Sequence, residues 1–238
     1  MNNIIQLNLI NKKFYSQVAS DFSESRNYFW TGWEELLPII SRLAINHLSL
    51  IILDLACGNG RFLEFLISNY QFPNKFSYLG IDGSQELLNI AQNKFKKQKQ
   101  IKFEKLDIVE NLLNNDLKLE IRNLKFNFIV CFGFLHHVPD FVLRQQLLQN
   151  LADLLTKDGI LVVSTWQFLE NPRLKARIVK DLGNNDYILD WRRGKEARRY
   201  CHLISDEEMT SLIGNKFLVI KKFRADKYND YWVLQKIN

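Results

Sequence analysis

Asp54 ends an apolar run and opens the loop Asp54-Leu-Ala-Cys-Gly-Asn-Gly60. Glycines such as Gly58 and Gly60 let a backbone turn tightly between strand and helix and approach a ligand closely. Twenty-eight residues beyond Asp54, Asp82 closes a second apolar run, with Gly83 beside it. In open parallel sheets ligands sit beyond the strand carboxyl ends, and an acid there can take both hydroxyls of a ribose. Loop and acid together therefore describe a nucleoside cofactor site. A dinucleotide fingerprint needs G-x-G-x-x-G, and Leu63 stands where its third glycine belongs. Asp54 also suits a cation better than a pyrophosphate. S-adenosylmethionine (SAM) carries a sulfonium and an ammonium and no phosphate, so it meets both conditions. The plain alternative is a tight turn that binds nothing.

Other reactive side chains cluster after later apolar runs. His136 and His137 follow Phe126–Phe132, whose end residues Cys131 and Phe132 join the expected cofactor-binding set. Trp166 and Phe168 follow Ile160–Thr165, and Arg26 lies in a polar N-terminal stretch. His137 reads either as a turn or packing residue or as a group orienting an acceptor. Trp166 is either core or a flank for a base, and Arg26 either surface or a clamp on a carboxylate.

Charge is unevenly spread. The net charge is +6, yet residues 171–200 hold nine Lys and Arg against four acids, leaving +1 for the rest. Within that segment Arg192, Arg193, Arg199, Tyr200 and His202 mix cations with aromatic rings. Cations neutralise phosphates, and aromatic or guanidinium planes stack on unpaired bases. These five are the expected substrate-binding residues; an ordinary solvated helix face is the bland alternative. The lysines of 94–105 read as solvated surface.

Those groups need a scaffold. Apolar runs at Leu50–Leu55, Phe76–Ile81, Ile101–Leu106, Phe126–Phe132 and Ile160–Thr165 read as strands. Helical patterns alternate with them: Arg61–Asn69, Ser84–Lys97 with Ser84 as N-cap, a weak one over Glu110–Glu120, and Asp140–Leu155 with a stop at Lys157-Asp158-Gly159. Tyr15–Phe22 and Trp33–His47 read as helices, and Asn2–Ile10 is undecided between helix and strand. Asp206–Ile213 is a short helix, and Phe217–Phe223 and Tyr231–Lys236 pair around a loop containing Asn229-Asp230. The expected fold is α/β: a doubly wound, seven-stranded, mostly parallel sheet with a reversed terminal strand. One domain, 1–238, would carry an N-terminal helical cap (1–48) and a basic, substrate-facing insertion (167–204).

The composition agrees. Hydrophobic residues at 47% and charged residues at 24% are globular values and exclude a disordered chain. Three widely spaced cysteines, Cys57, Cys131 and Cys201, make neither a disulfide framework nor a metal knuckle. No metal is expected, and a reduced, cytoplasmic setting fits. No apolar run has the length of a membrane span, and no signal peptide is evident.

The glycine loop, Asp82, Leu106-Asp107 and Phe126–Val138 together resemble class I SAM-dependent methyltransferases. The resemblance implies that the loop contacts the methionine part, Asp82 the ribose, and Asp107 with Ile108 the adenine. One departure is Ala56, where that family's first loop glycine stands. Further segments resemble the tRNA wobble-uridine carboxymethyl methyltransferases: Tyr15…Ser25-Arg26, Phe134-Leu-His-His-Val138, Val163-Ser-Thr-Trp-Gln-Phe168, Asp190-Trp191…His202 and Asp230-Tyr231-Trp232. This narrower resemblance implies methyl esterification of a carboxylate in a tRNA anticodon loop. It also allows a small zinc-binding activator subunit as partner. Two alternatives remain: the same chemistry on a small-molecule acid or amine, and a non-catalytic RNA-binding protein with a relict SAM pocket.

Overall fold

The computed structural model describes residues 2–26, 28–72, 75–114, 121 and 124–237. Its main sheet has seven strands: β1 (Ser49–Leu55), β2 (Lys75–Asp82), β3 (Ile101–Lys105), β4 (Phe126–Cys131), β5 (Leu155–Trp166) and, late in the chain, β9 (Phe217–Ala225) and β10 (Asn229–Lys236). Their spatial order is β3-β2-β1-β4-β5-β10-β9. Strands β1 to β5 run parallel, and β10 pairs antiparallel with both β5 and β9. This is the expected doubly wound sheet with one reversed strand. The strand order turns back between β1 and β4, so a crevice opens beyond their carboxyl ends.

Burial explains the strands. All six residues of β4 are buried, as a strand covered on both faces requires. Leu53, Leu55, Ile129, Cys131, Leu161 and Val163 pack into one apolar layer, and Ile52, Phe128, Val130, Val162 and Val233 into the other. Helices α3 (Arg61–Asn69), α4 (Gln85–Phe95), α5 (Ile108–Leu113), α6 (Phe141–Leu154) and α7 (Asp206–Ile213) flank the sheet. Ser84 caps α4 as expected, accepting from the Leu87 amide at 3.3 Å. Asp140 and Ser205 cap α6 and α7 the same way.

Several boundaries differ from the sequence pattern. Residues Asn2–Glu24 form one helix, α1, which resolves the undecided first segment. A 3-10 turn (Thr31–Leu36) precedes α2 (Leu37–Asn46). The expected helix stop at Lys157-Asp158-Gly159 lies inside β5, where Asp158 takes a positive φ of 62°. The terminal hairpin turns at Asp226 and Lys227, both at positive φ, and Asn229-Asp230 already belongs to β10. Of the weak helix at Glu110–Glu120, α5 is the described part; residues 115–120 fall outside the described residues.

The basic segment is no helix face. It folds as an antiparallel meander of β6 (Ile178–Gly183), β7 (Asp186–Trp191) and β8 (Ala197–His202). α1 packs against it: Phe14 meets Trp191 edge-on at 5.7 Å, and Leu7 packs with Ile188 and Tyr200. Two expected substrate-binding residues need correction here. Tyr200 is fully buried, and its hydroxyl donates to Asp186 Oδ1 at 2.6 Å. His202 is held between Asp186 Oδ1 at 2.6 Å and Glu208 Oε2 at 2.8 Å, and Arg144 pairs with the same Glu208. Tyr200 ties β8 to β7 within the meander, and His202 fastens the meander to α7, whose Glu208 also holds Arg144 of α6. Among the described residues no helix is long and apolar enough to cross a membrane.

Burial opposes the charged form of His202, but the bonds to Asp186 and Glu208 outweigh it and raise its pKa. A raised folded pKa gives stability that is full below the unfolded value, about 6.5, and is lost as pH rises through the folded value. The urea midpoint of the wild type should therefore fall relative to His202→Gln as the pH rises above about 6.5. Parallel midpoints over that range would remove the imidazolium from the latch.

Candidate active site

The cavity at the switch point has a volume of about 1170 Å³. Ordinary small-molecule clefts measure about 300–1,000 Å³, so a cofactor and an acceptor both fit. One half is built by strand ends. Gly58 N–H donates to Asp82 Oδ2 and Ser84 N–H to Asp82 Oδ1, each at 2.8 Å. These bonds fix the carboxylate at the mouth of β2 with lone pairs left over. Gly58 sits at φ +55°, and a Cβ there would meet nothing nearer than 4.0 Å. The backbone there is open to close approach from the cavity. Gly60 differs: a Cβ would lie 2.9 Å from Phe95, so this glycine serves packing rather than the cavity wall.

Ala56 holds φ +61°. The loop therefore keeps the left-handed turn that a glycine would make without strain. Asp54 is 2% exposed and accepts from the Tyr78 hydroxyl at 2.5 Å; burial pushes its pKa up to about 7. Asp107 caps α5 through Glu110 N–H, and α1 reaches across to it: Lys12 Nζ lies at 2.8 Å and Asn8 Nδ2 at 3.1 Å. Burial works against the Asp107 carboxylate, but these partners hold its pKa below the usual value.

The other half is lined by Tyr15, Arg26, His136, His137, Trp166 and Arg199. His137 is buried and doubly bonded: Nδ1 to Tyr200 O at 2.8 Å and Nε2 to the Tyr15 hydroxyl at 2.9 Å. The carbonyl can only accept, so Nδ1 carries the proton and Tyr15 donates to Nε2. Burial, then Arg199, pushes the His137 pKa down to about 3. The Arg199 guanidinium lies 4.7 Å from the Trp166 ring centre and 5.4 Å from that of Phe14. Arg26 stacks on Phe22 at 3.6 Å, and burial beside Arg199 lowers its pKa to about 9.

Of the residues expected from sequence, Asp54, Ala56, Gly58, Asp82, Gly83, Asp107, Ile108 and Phe132 line this one cavity with Arg26, His137, Trp166 and Arg199. Cys131 is fully buried in the core beneath it. Arg192 and Arg193 are exposed on the β7–β8 turn, away from the lining, with Arg192 bonded to Asp190 at 2.7 Å. Sequence reasoning missed Arg61 and Asn11. Arg61 follows the glycine loop as the first residue of α3, a position that could have marked it. Asn11 lay between the undecided segment Asn2–Ile10 and the helix expected from Tyr15, and gave no signal.

The sheet order and this strand-end cavity define a class I methyltransferase. Comparison with known proteins agrees: residues 25–215 match the family model described as a methyltransferase domain, and the chain belongs to that family. It is 26% identical over 153 residues to the tRNA (carboxymethyluridine(34)-5-O)-methyltransferase ALKBH8 of Mus musculus, covering 64% of this chain and 19% of that protein. It is 30% identical over 160 residues to a ubiquinone biosynthesis O-methyltransferase of Coxiella burnetii, covering 67% and 59%. The chain thus spans less than two thirds of either relative. The magnesium protoporphyrin IX methyltransferase of Synechocystis PCC 6803 with bound SAH superposes with a TM-score of 0.65 at 14% identity, covering 96% of this chain and 99% of that one. The chain carries a methyltransferase domain, and its strand-end site suits SAM. Asp82 fits the ribose, and the open face of Gly58 fits close approach of the cofactor.

Two substitutions test this half. Asp82→Ala should weaken SAM binding by about 10–100-fold in calorimetry, the worth of a charge-assisted hydrogen bond or two; unchanged affinity would move the ribose elsewhere. Ala56→Gly relieves a left-handed alanine at some entropic cost and should raise stability by about 0.5–1 kcal/mol in urea titration.

Proposed function

We propose that the enzyme methylates a carboxylate, that of a modified wobble uridine in a tRNA anticodon loop. The observation that carries this reading is the charge of the acceptor half: two guanidinium groups, and a histidine too weakly basic to take a proton near neutral pH. A general base works best with a pKa near the working pH. His137 at about 3, with Nε2 already bonded to Tyr15, is far from that. An acceptor that arrives ionised needs no base, and a carboxylate is ionised above about pH 5.

Bound SAM supplies an electrophilic methyl group on a sulfonium. The chain's part is placement. Arg26 and Arg199 would hold the carboxylate, Trp166 would flank the ring that bears it, and the aromatic walls would keep water out. Arg26 stays protonated below its pKa of about 9.

The RNA part of the reading rests on three supports. The mouse relative's name specifies a carboxymethyluridine at position 34. The short segments from Tyr15 to Trp232 resemble wobble-uridine enzymes. The basic segment beside the acceptor half exposes Arg173 and Lys175 on a short helical turn and Lys180, Arg192, Arg193, Lys195 and Arg198 on the meander, cations suited to a phosphate backbone.

Incubation with labelled SAM and total tRNA lacking the ester should give an alkali-labile methyl group, read as a methyl-ester nucleoside by mass spectrometry. An alkali-stable methyl group, or transfer only to free small molecules, would refute the reading. Single-turnover rates should be flat from about pH 6 to 8 and fall above 9 as Arg26 loses its charge. A hydroxyl acceptor would give rates that climb with pH. Arg26→Met should raise the acceptor KM by about 10–100-fold.

A further inference from the structure

Metal-ligating side chains from two distant elements converge at the acceptor wall. His136 and His137 stand on the 3-10 turn Leu135–His137 after β4, and Cys201 is on β8. Their ligating atoms all lie within 4.8 Å of one another, and all three residues are buried. Cys201 is a free thiol whose Sγ lies 3.8 Å from His137 Nδ1. Zinc bonds of about 2.3 Å to sulfur and 2.1 Å to nitrogen, set tetrahedrally, put the two ligand atoms about 3.6 Å apart. This pair therefore needs almost no movement to share an ion.

An independent observation points to a ligand. His136 is 3% exposed, and its Nδ1 has no hydrogen-bond partner. An orphaned polar atom in the interior is costly unless something takes its lone pair. The His136 ring centre lies 4.3 Å from that of His137, on the same short turn. The frame around the cluster is already fixed: Asn11 Nδ2 donates to His137 O, and Asn11 Oδ1 accepts from Tyr200 N–H, next to Cys201.

We propose that His136, His137 and Cys201 form a binding site for a thiophilic divalent cation of the zinc type. Thiolate and imidazole donors suit zinc and disfavour magnesium or calcium. On binding, the Cys201 thiol loses its proton to solvent. At His137 the ion takes the place of the Nδ1 proton, and Tyr200 O gives up its bond to that nitrogen. The neutral ring then carries its proton on Nε2 and donates it to the Tyr15 oxygen, 2.9 Å away, which orients the ligand from behind. Both histidines line the cavity, so a fourth position on the ion would open toward the acceptor half. The site does not depend on which acceptor is methylated.

The test is titration of the full chain, stripped with a chelator, with Zn²⁺ and with Co²⁺ as a spectroscopic probe. One equivalent should bind, and Co²⁺ should show the near-ultraviolet charge-transfer band of a thiolate ligand. Cys201→Ala should abolish that band. Cys201→Ala and His136→Gln should each weaken Zn²⁺ by at least about 100-fold, beyond the usual effect of removing an outer partner. Calorimetry with SAM on each variant reports whether it is folded. X-ray absorption at the zinc edge of the wild type needs no variant: the expected shell has one sulfur at about 2.3 Å and imidazole nitrogens at about 2.0–2.1 Å. Failure to bind either ion, a shell without sulfur, or a cobalt–thiolate band that survives in Cys201→Ala would each overturn the proposal.

Discussion

Three guanidinium groups, Arg26, Arg61 and Arg199, stand around one cavity with no acid paired to any of them among the described residues. Taking an arginine out of water without a counter-charge is expensive. The rest of the site is arranged to make that tolerable until ligands arrive. Each guanidinium lies over an aromatic ring: Phe22 for Arg26, Trp30 and Trp33 for Arg61, Trp166 and Phe14 for Arg199. Cation–π contacts of this kind return part of the lost hydration. The density of aromatic residues at the switch point follows from this need. Both histidines stay neutral first because they are buried, and a further positive charge beside Arg199 would cost more still.

Holding those cations in place requires elements that are far apart in sequence. Asn11 of α1 does much of the joining. Its Oδ1 accepts from Tyr200 N–H at 2.8 Å and its Nδ2 donates to His137 O at 3.4 Å. The backbone of Tyr200 in turn fixes the His137 ring. One buried amide thus ties the helical cap, the turn after β4 and the meander into a single wall. On the opposite side Asp226 accepts from Thr31 N–H at 2.6 Å and from the Tyr231 hydroxyl at 2.5 Å. That contact anchors the terminal hairpin over the turn that carries Trp30 and Trp33.

This division explains what could be read from sequence. The glycine loop, Asp82, the Ser84 cap and the strand alternation are local: their meaning lies in backbone geometry set by near neighbours. They were legible, and so was the fold. Asn11 meets partners 126 and 189 residues away, which no local pattern signals. Tyr200 and His202 misled for a related reason. Rings interleaved with arginines suggest stacking on bases. β8, however, is covered by Leu7 of α1 on one face and Phe168 on the other, so its rings point into protein on both sides. The meander was unreadable as strands because β8 is buried on both faces, which erases the alternation of a half-exposed strand, while β6 is exposed along nearly its whole length and presents no apolar face.

The excess charge of the basic segment then separates into two physical roles. Seven of its nine cations are exposed, where water and salt screen them and each contributes little to affinity on its own. Collectively they set up a field that raises the encounter rate of a polyanion without selecting which atom reacts. Arg199 is 6% exposed and stacked on Trp166, in surroundings where screening is weak. It is the member of the segment that can discriminate a carboxylate from a neutral group. Reversing the exposed charges and neutralising Arg199 are therefore different perturbations. The first acts on association and its salt dependence, the second on which acceptor can be held, and both reside in one meander because β8 carries a residue of each kind side by side, Arg198 outward and Arg199 inward.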